Sequence, residues 1–174
     1  MLRPWLGCAA LIGGLLWVFK AGAILLGHGQ PEHVFEAAPL LFALVTLGLA
    51  SWVPPSRARR VGIPLAVTAV LGCLVAAVWS VVAGNVLGPD LAIGMVTMTV
   101  ALAISGLALL RSGAAVGGSP LLLGIATIPA ILVGGALSTI DERLLEVPIL
   151  AIGLGWIVLG LAFLRPVGAS PRPT

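Results

Sequence analysis

The one lysine of this chain, Lys20, lies well inside an apolar run that extends over residues 5–27. About seven residues separate Lys20 from the end of that run, which is a depth of roughly 10 Å at 1.5 Å per helical residue. An ammonium group is costly in hydrocarbon, so a lysine at this depth usually faces a cavity, a partner or a functional site. Alternatively, the long aliphatic stem carries the charge up to the lipid headgroups.

Three acids are candidate ion-pair partners for Lys20: Glu32 and Glu36 in the loop that follows its helix, and Asp90 in the next hairpin. A structural ion pair, a snorkelling ammonium and a site for a ligand or proton are therefore three open interpretations. Trp17 precedes Lys20 by one helical turn and lies on the same helix face. It would either flank a bound ligand or fill space in the packing.

A further acidic cluster, formed by Asp141, Glu142 and Glu146, is predicted on the same side of the membrane as Glu32 and Glu36. If these loops converge, they form an electronegative entrance that attracts cations. The alternative is that the acids only complement the arginines on the opposite side.

Several kinds of catalytic or cofactor site are excluded by residue content. The two histidines, His28 and His33, share one loop and no paired cysteines accompany them, so neither a metal site nor a bis-histidine haem is predicted. No glycine-rich phosphate loop opens a helix, so no nucleotide is expected. The segment 103–106 resembles the serine motif of the rhomboid proteases, but the last apolar run holds no histidine to activate Ser105. No cofactor and no catalytic residue is therefore predicted.

The composition predicts an integral membrane protein, because 60% of the 174 residues are hydrophobic and only 9% are charged. Crossing about 30 Å of hydrocarbon takes roughly 20 apolar residues. Short polar connections separate the apolar runs and would make consecutive helices antiparallel neighbours. We therefore predict an all-α, polytopic protein in which residues 1–168 form one domain of six transmembrane helices, arranged as three hairpins, and 169–174 form a disordered tail. The predicted spans are 5–27, 37–53, 62–84, 91–110, 121–139 and 146–164.

The distribution of charge predicts the orientation. Seven arginines fall on one side of the predicted bundle, all six acids fall on the other, and the arginine-rich side is expected to be cytoplasmic. Both termini would then be cytoplasmic, and we expect the plasma membrane as the location. The net charge of +3 reflects this bias beside the spans and does not indicate a nucleic-acid partner. The arginines are Arg3, Arg57, Arg59, Arg60, Arg111, Arg165 and Arg172.

Similar tetrads near the ends of the even-numbered spans indicate an internal repeat: residues 47–50, 105–108 and 159–162. Their glycines, Gly48, Gly106 and Gly160, are spaced by about one helix hairpin, which is the spacing that duplication would give. The duplicated hairpins would be related by a pseudo-threefold axis. The alternative is coincidence in a chain rich in glycine, leucine and alanine.

Three functions remain open. Small residues recur every fourth position on several spans, which suits close helix packing and favours a non-enzymatic membrane subunit or assembly partner, paired with another membrane protein or with itself. The second function is a small transporter or ligand-binding component that uses Lys20 and the acidic loops. The third is a membrane enzyme acting on a lipid or isoprenoid substrate, for which two carboxylates should converge over an apolar pocket.

Overall fold

The computed structural model describes residues 2–29, 34–84 and 88–165. This part of the chain forms six α-helices and two short 3₁₀ turns, at Ala115–Gly117 and Glu142–Leu145. The predicted all-α fold of a polytopic membrane protein is confirmed, because five of the helices are long and apolar enough to cross a membrane and the apolar part of α2, Ala37–Trp52, is shorter. The helices are α1 Leu2–Leu25, α2 Val34–Trp52, α3 Arg57–Ala83, α4 Gly88–Arg111, α5 Gly118–Leu137 and α6 Glu146–Leu164.

Helix α3 begins five residues before the predicted span 62–84. Ser56 caps the helix by accepting a hydrogen bond from the backbone N–H of Arg59, at 3.3 Å, and satisfies one of the donors that a helix start leaves unpaired. The arginines between the cap and the apolar run are therefore helical. Hydropathy marks only the apolar part of such a helix. The predicted tail 169–174 lies outside the described residues.

Helices α1 and α6 approach so closely that glycines are required on both. A Cβ at Gly14 would lie 2.7 Å from the carbonyl oxygen of Gly153, and one at Gly160 would lie 2.8 Å from the carbonyl oxygen of Gly7. Real Cβ atoms do not approach that closely. Helix α6 therefore packs directly against α1.

Helices α4 and α5 make a second glycine interface at the end of the bundle where the chain passes from one to the other. A Cβ at Gly106 would lie 2.8 Å from the carbonyl oxygen of Gly117, and one at Gly124 would lie 2.6 Å from the backbone nitrogen of Ala103. This interface holds the two helices together at that end.

Helix α2 lies against α1, α3 and α4 and supplies much of the core, including the fully buried Phe42, Val45, Thr46 and Leu49. A helix enclosed by its neighbours presents little surface to lipid, which fits its shorter apolar part. Thr46 satisfies its hydroxyl inside the helix by donating to the carbonyl oxygen of Phe42, at 2.8 Å.

The glycines of the predicted pseudo-threefold repeat pack in an equivalent way in two of the three copies. Gly106 of α4 packs on α5, and Gly160 of α6 packs on α1, so each meets the first helix of the next hairpin in cyclic order. Gly48 of α2 instead packs on Leu6 of α1, within its own hairpin. The first copy departs from the pattern, and duplication stays a prediction.

Candidate functional site: a buried ion pair beside an apolar cavity

The register of α1 against α6 places Lys20 opposite the first turn of α6. Gly7 packs on Gly160 and Gly14 packs on Gly153, so a seven-residue step along α1 corresponds to a seven-residue step back along α6. The helices are antiparallel, and continuing the same register from Gly14 to Lys20 leads to position 147 in the first turn of α6. Glu146, the first residue of α6, is next to that position.

Lys20 and Glu146 form a buried ion pair at this point. The ammonium nitrogen of Lys20 donates to Oε1 of Glu146 at 2.7 Å, and the two side chains are 3% and 6% exposed. An enclosed ammonium does not extend along the lipid-facing surface to the headgroups, so the snorkelling interpretation does not fit the structure. Opposite charges in a region of low dielectric constant attract strongly, but both must first lose their hydration.

An aromatic cluster packs next to the pair, on the side of the bundle centre. The ring of Trp17 meets the ring of Phe42 edge-on, with centroids 5.3 Å apart, and Phe42 stacks on Trp156 at 4.2 Å. Trp17 and Trp156 are 3% and 1% exposed. These rings join α1, α2 and α6, and they fix the position of Trp17 one turn from Lys20.

A cavity of about 490 Å³ lies beside the ion pair. This volume is within the range of small-molecule sites, about 300–1,000 Å³. Its described wall is mainly apolar, and the polar side chains among the described lining residues are Lys20, Glu146 and the indole of Trp17. The described lining residues come from five helices and the turn before α6: Trp17, Lys20, Pro39, Gly88, Leu91, Ala92, Met95, Val96, Ile131, Leu145, Glu146, Pro148 and Ile149.

The cavity opens sideways between α4 and α5. Ala92 and Val96 of α4 and Ile131 of α5 belong to its wall and are also exposed on the outer surface of the bundle. The glycine interface of these two helices lies at their opposite ends. In a membrane this opening would face the lipid, so an apolar molecule could reach the ion pair without crossing water.

Two polar atoms of the cavity-lining side chains are buried without a hydrogen-bond partner among the described residues: Nε1 of Trp17 and Oε2 of Glu146. Buried polar atoms are paired in the large majority of cases, so each exception calls for an explanation. The indole nitrogen can only donate, and the carboxylate oxygen can only accept while the acid is ionised. Two side chains that line the cavity therefore carry one unused donor and one unused acceptor.

A third buried atom, Oγ of Ser105, also has no partner among the residues that the structure describes, and it lies elsewhere, against Gly62 of α3. It belongs to the segment that resembles the rhomboid serine motif. The sequence of α6 contains no histidine that could act as a base for Ser105. Ser105 therefore has no base on α6 to activate it as a nucleophile.

The other predicted site residues are placed as follows. Glu32 lies outside the described residues, and the structure gives Glu36 a place in the first turn of α2 without describing its side chain. Asp90 is half-buried, and its backbone packs on Gly72 of α3; it is not part of the cavity lining.

The three acids of the loop before α6 separate into different roles. Asp141 accepts a hydrogen bond from the backbone N–H of Arg143 at 2.9 Å and caps the 3₁₀ turn, while Glu142 is exposed. Glu146 turns inward to Lys20. In the described part of the chain no group of three or more histidine, cysteine or acidic side chains is arranged to hold a metal ion.

The sequence-based prediction named acids of the adjoining loop and of the next hairpin as partners of Lys20 and missed Glu146 at the start of the last helix. The signal that indicates the pairing is the equal spacing of Gly7 and Gly14 on α1 and of Gly153 and Gly160 on α6. Matching glycine spacings on two antiparallel helices predict a close interface. Its register leads from Lys20 to the first turn of α6, where Glu146 lies.

Two of the arginines predicted on one side lie at one end of the bundle. Arg57 and Arg111 line a recess of about 440 Å³ where α3 begins and α4 ends. At the opposite end, the guanidinium of Arg143 lies beside Gly27, which follows α1. The side of the membrane that each end faces stays a prediction.

Comparisons of the chain with protein-family models, with curated proteins and with solved structures found no match. The functional proposal therefore depends on the geometry of the cavity and its ion pair.

Proposed function

We propose that this chain is a ligand-binding membrane protein, either a small transporter or the binding component of one, which takes up an apolar molecule in the cavity beside Lys20 and Glu146. The observation that carries the proposal is a buried ion pair in the wall of an apolar cavity of about 490 Å³.

Stability alone gives a weak reason for such a pair. Well-packed apolar residues of similar volume often replace a buried ion pair without loss of stability, because the attraction must first offset the desolvation of both charges. Intramembrane charges usually mark a substrate path or a site. A charged pair that borders a cavity can serve a binding site, since it orients a polar group of an otherwise apolar ligand.

The lateral opening supports an apolar ligand in particular. A molecule that enters between Ala92 and Ile131 comes from the lipid and meets an apolar wall before it reaches the pair. Entry from the aqueous side would instead favour a charged solute. The proposed ligand is therefore mainly hydrocarbon, with a polar end that reaches Lys20 or Glu146.

A second candidate function is the membrane subunit or assembly partner predicted from the small residues that recur every fourth position. Two of these residues, Ala69 and Cys73 of α3, pack against Gly94 of α4 within the chain, so they do not indicate contact with a partner protein. Ala126 and Ala130 of α5 instead line an open groove of about 320 Å³ along α6. That groove is the observation that keeps the subunit function as an alternative, and co-purification of a second membrane protein would favour it.

The membrane-enzyme alternative receives less support from the described residues. It needs two carboxylates over an apolar pocket, and Glu146 is the one carboxylate among the described lining residues. Its carboxylate is also engaged by Lys20.

Saturable photolabelling in lipid bilayers tests the proposal. The purified chain is reconstituted and labelled with octane or octanol carrying a diazirine, and the labelled residues are mapped by mass spectrometry. We expect labelling of Met95 or Ile131 by at least one probe to saturate with increasing probe concentration. Labelling of the lipid-facing Val81 should instead rise in proportion to the probe concentration. The proposal would be contradicted if, with both probes, labelling of the cavity residues rose with probe concentration as steadily as labelling of Val81 does.

A matched pair of variants assigns the label to the cavity. Ala92 lies in the opening and Ala151 lies in the separate groove between α5 and α6, and both are exposed. Ala92→Trp should abolish the saturable label by filling the opening. Ala151→Trp should leave it unchanged.

A further inference from the structure

The two unpartnered atoms in the cavity wall restrict the chemistry of the ligand. Trp17 offers an N–H that needs an acceptor, and Glu146 offers an oxygen that needs a donor. Trp17 lies one turn from Lys20, whose ammonium touches Glu146. One small polar group that reached both side chains would satisfy both atoms.

Few functional groups both donate and accept at one point. A primary ammonium only donates and would leave Trp17 without an acceptor. A carboxylate, ether or ketone only accepts and would leave Oε2 of Glu146 without a donor. A hydroxyl group satisfies both atoms. Leaving a buried partner unpaired costs more than an average hydrogen bond contributes, so this complementarity discriminates strongly between ligands.

We infer that the ligand is an apolar alcohol, whose hydroxyl accepts from Nε1 of Trp17 and donates to Oε2 of Glu146 while its hydrocarbon fills the cavity toward α4 and α5. The inference rests on the proposed function and adds the ligand class to it. Both atoms are buried, so the lining side chains must shift for the hydroxyl to reach them.

The size of the cavity separates this inference from a bound water. One water also donates and accepts, and it occupies about 30 Å³. The cavity of about 490 Å³ is far larger, and its wall beyond the polar side chains is apolar, so water alone would not fill it. An alcohol supplies the polar group and the hydrocarbon together.

Competition against the photoreactive octanol tests the ligand class. The competitors are octanol, octyl methyl ether, nonane, octylamine and octanoic acid. Each is compared at its concentration in the bilayer, in moles per mole of lipid, so that differences in partitioning do not affect the comparison. We expect octanol to compete about fivefold to tenfold better than the ether, which loses one hydrogen bond, and about 25-fold to 100-fold better than nonane, which loses both, since each buried hydrogen bond is worth roughly fivefold to tenfold in affinity.

Two variants test the contacts. Trp17→Phe keeps an aromatic ring against Phe42 and removes the donor, so it should reduce the preference for octanol over nonane about fivefold. Glu146→Gln replaces the acceptor by an amide that can also donate, so it should reduce the preference for octanol over the ether. Trp17→Phe keeps the ion pair, so the test does not depend on the folding of Glu146→Gln.

The outcomes separate this inference from the proposed function. Equal competition by octanol and nonane in a saturable cavity would overturn the alcohol and leave the binding function standing. Stronger competition by octylamine or octanoic acid would also overturn it, in favour of a charged ligand. Absence of saturable labelling with any probe would contradict the binding function itself, and water would then be the occupant beside the pair.

Discussion

The ammonium of Lys20 lies 2.7 Å from the carboxylate of Glu146, although 126 positions separate the two residues in sequence. The contact joins the first helix to the last and stands where two rows of glycines bring those helices together. Both charges border a cavity that opens toward lipid. The account of this protein depends on that pair.

Removing one charge of the pair should destabilise the protein strongly. Glu146→Leu leaves the buried ammonium without the carboxylate it touches, and breaking a buried pair in this way costs about 3–5 kcal/mol. We expect a marked loss of thermal stability in detergent. Glu142→Leu is the matched control, since that acid is exposed in the turn just before α6 and should change the free energy of unfolding by less than about 0.5 kcal/mol. Equal effects of the two substitutions would show that the pair contributes nothing to stability.

The close approach of α1 and α6 should not tolerate even one methyl group. Gly14→Ala places a Cβ 2.7 Å from the carbonyl oxygen of Gly153, and overpacking of this kind costs about 1–3 kcal/mol. The measurement is thermal unfolding of the purified chain.

Gly22→Ala is the control on the same helix, because nothing lies within 4 Å of its added Cβ. Alanine is a better helix former than glycine by about 0.5–1 kcal/mol, so this variant should match or exceed the parent. A Gly14→Ala variant as stable as Gly22→Ala would mean that the interface is looser than described and that the register leading to Glu146 is not enforced.

The orientation in the membrane should follow the arginines. With Cys8 and Cys73 replaced by alanine, single cysteines at Arg57 and Arg111 should be protected from an impermeant thiol reagent in intact cells, and one at Glu142 should react. The structure places positions 57 and 111 at the same recess, so they should respond alike. Reaction at 57 with protection at 142 would reverse the topology.

The sequence predicts the helices of this fold far better than the site. Long apolar runs follow from the thickness of the bilayer, so all six helices appear close to the predicted spans. The enclosure of α2 and the contact of α6 with α1 depend on where backbones approach, which hydropathy does not report. Lys20 is conspicuous because it is a charge inside an apolar run.

Glu146 stands at the edge of its run, where an acid looks like part of an ordinary loop. Only the glycine register identifies it as the partner of Lys20. The cavity depends on shape and has no counterpart in the sequence: its wall draws single residues such as Pro39 and Ile131 from different helices.

The most direct test of the central claim is the double variant Lys20→Met with Glu146→Leu, measured for thermal stability and for saturable labelling of the cavity. Apolar residues of similar volume remove both charges together, so the stability lost in the single variants should return to that of the parent or above it. The account predicts that in this stable protein the preference for octanol over nonane falls by about fivefold to tenfold, because the hydroxyl keeps only the hydrogen bond from Trp17. A double variant as stable as the parent that keeps the same preference would contradict the account, because the pair would then be a structural contact without a part in binding.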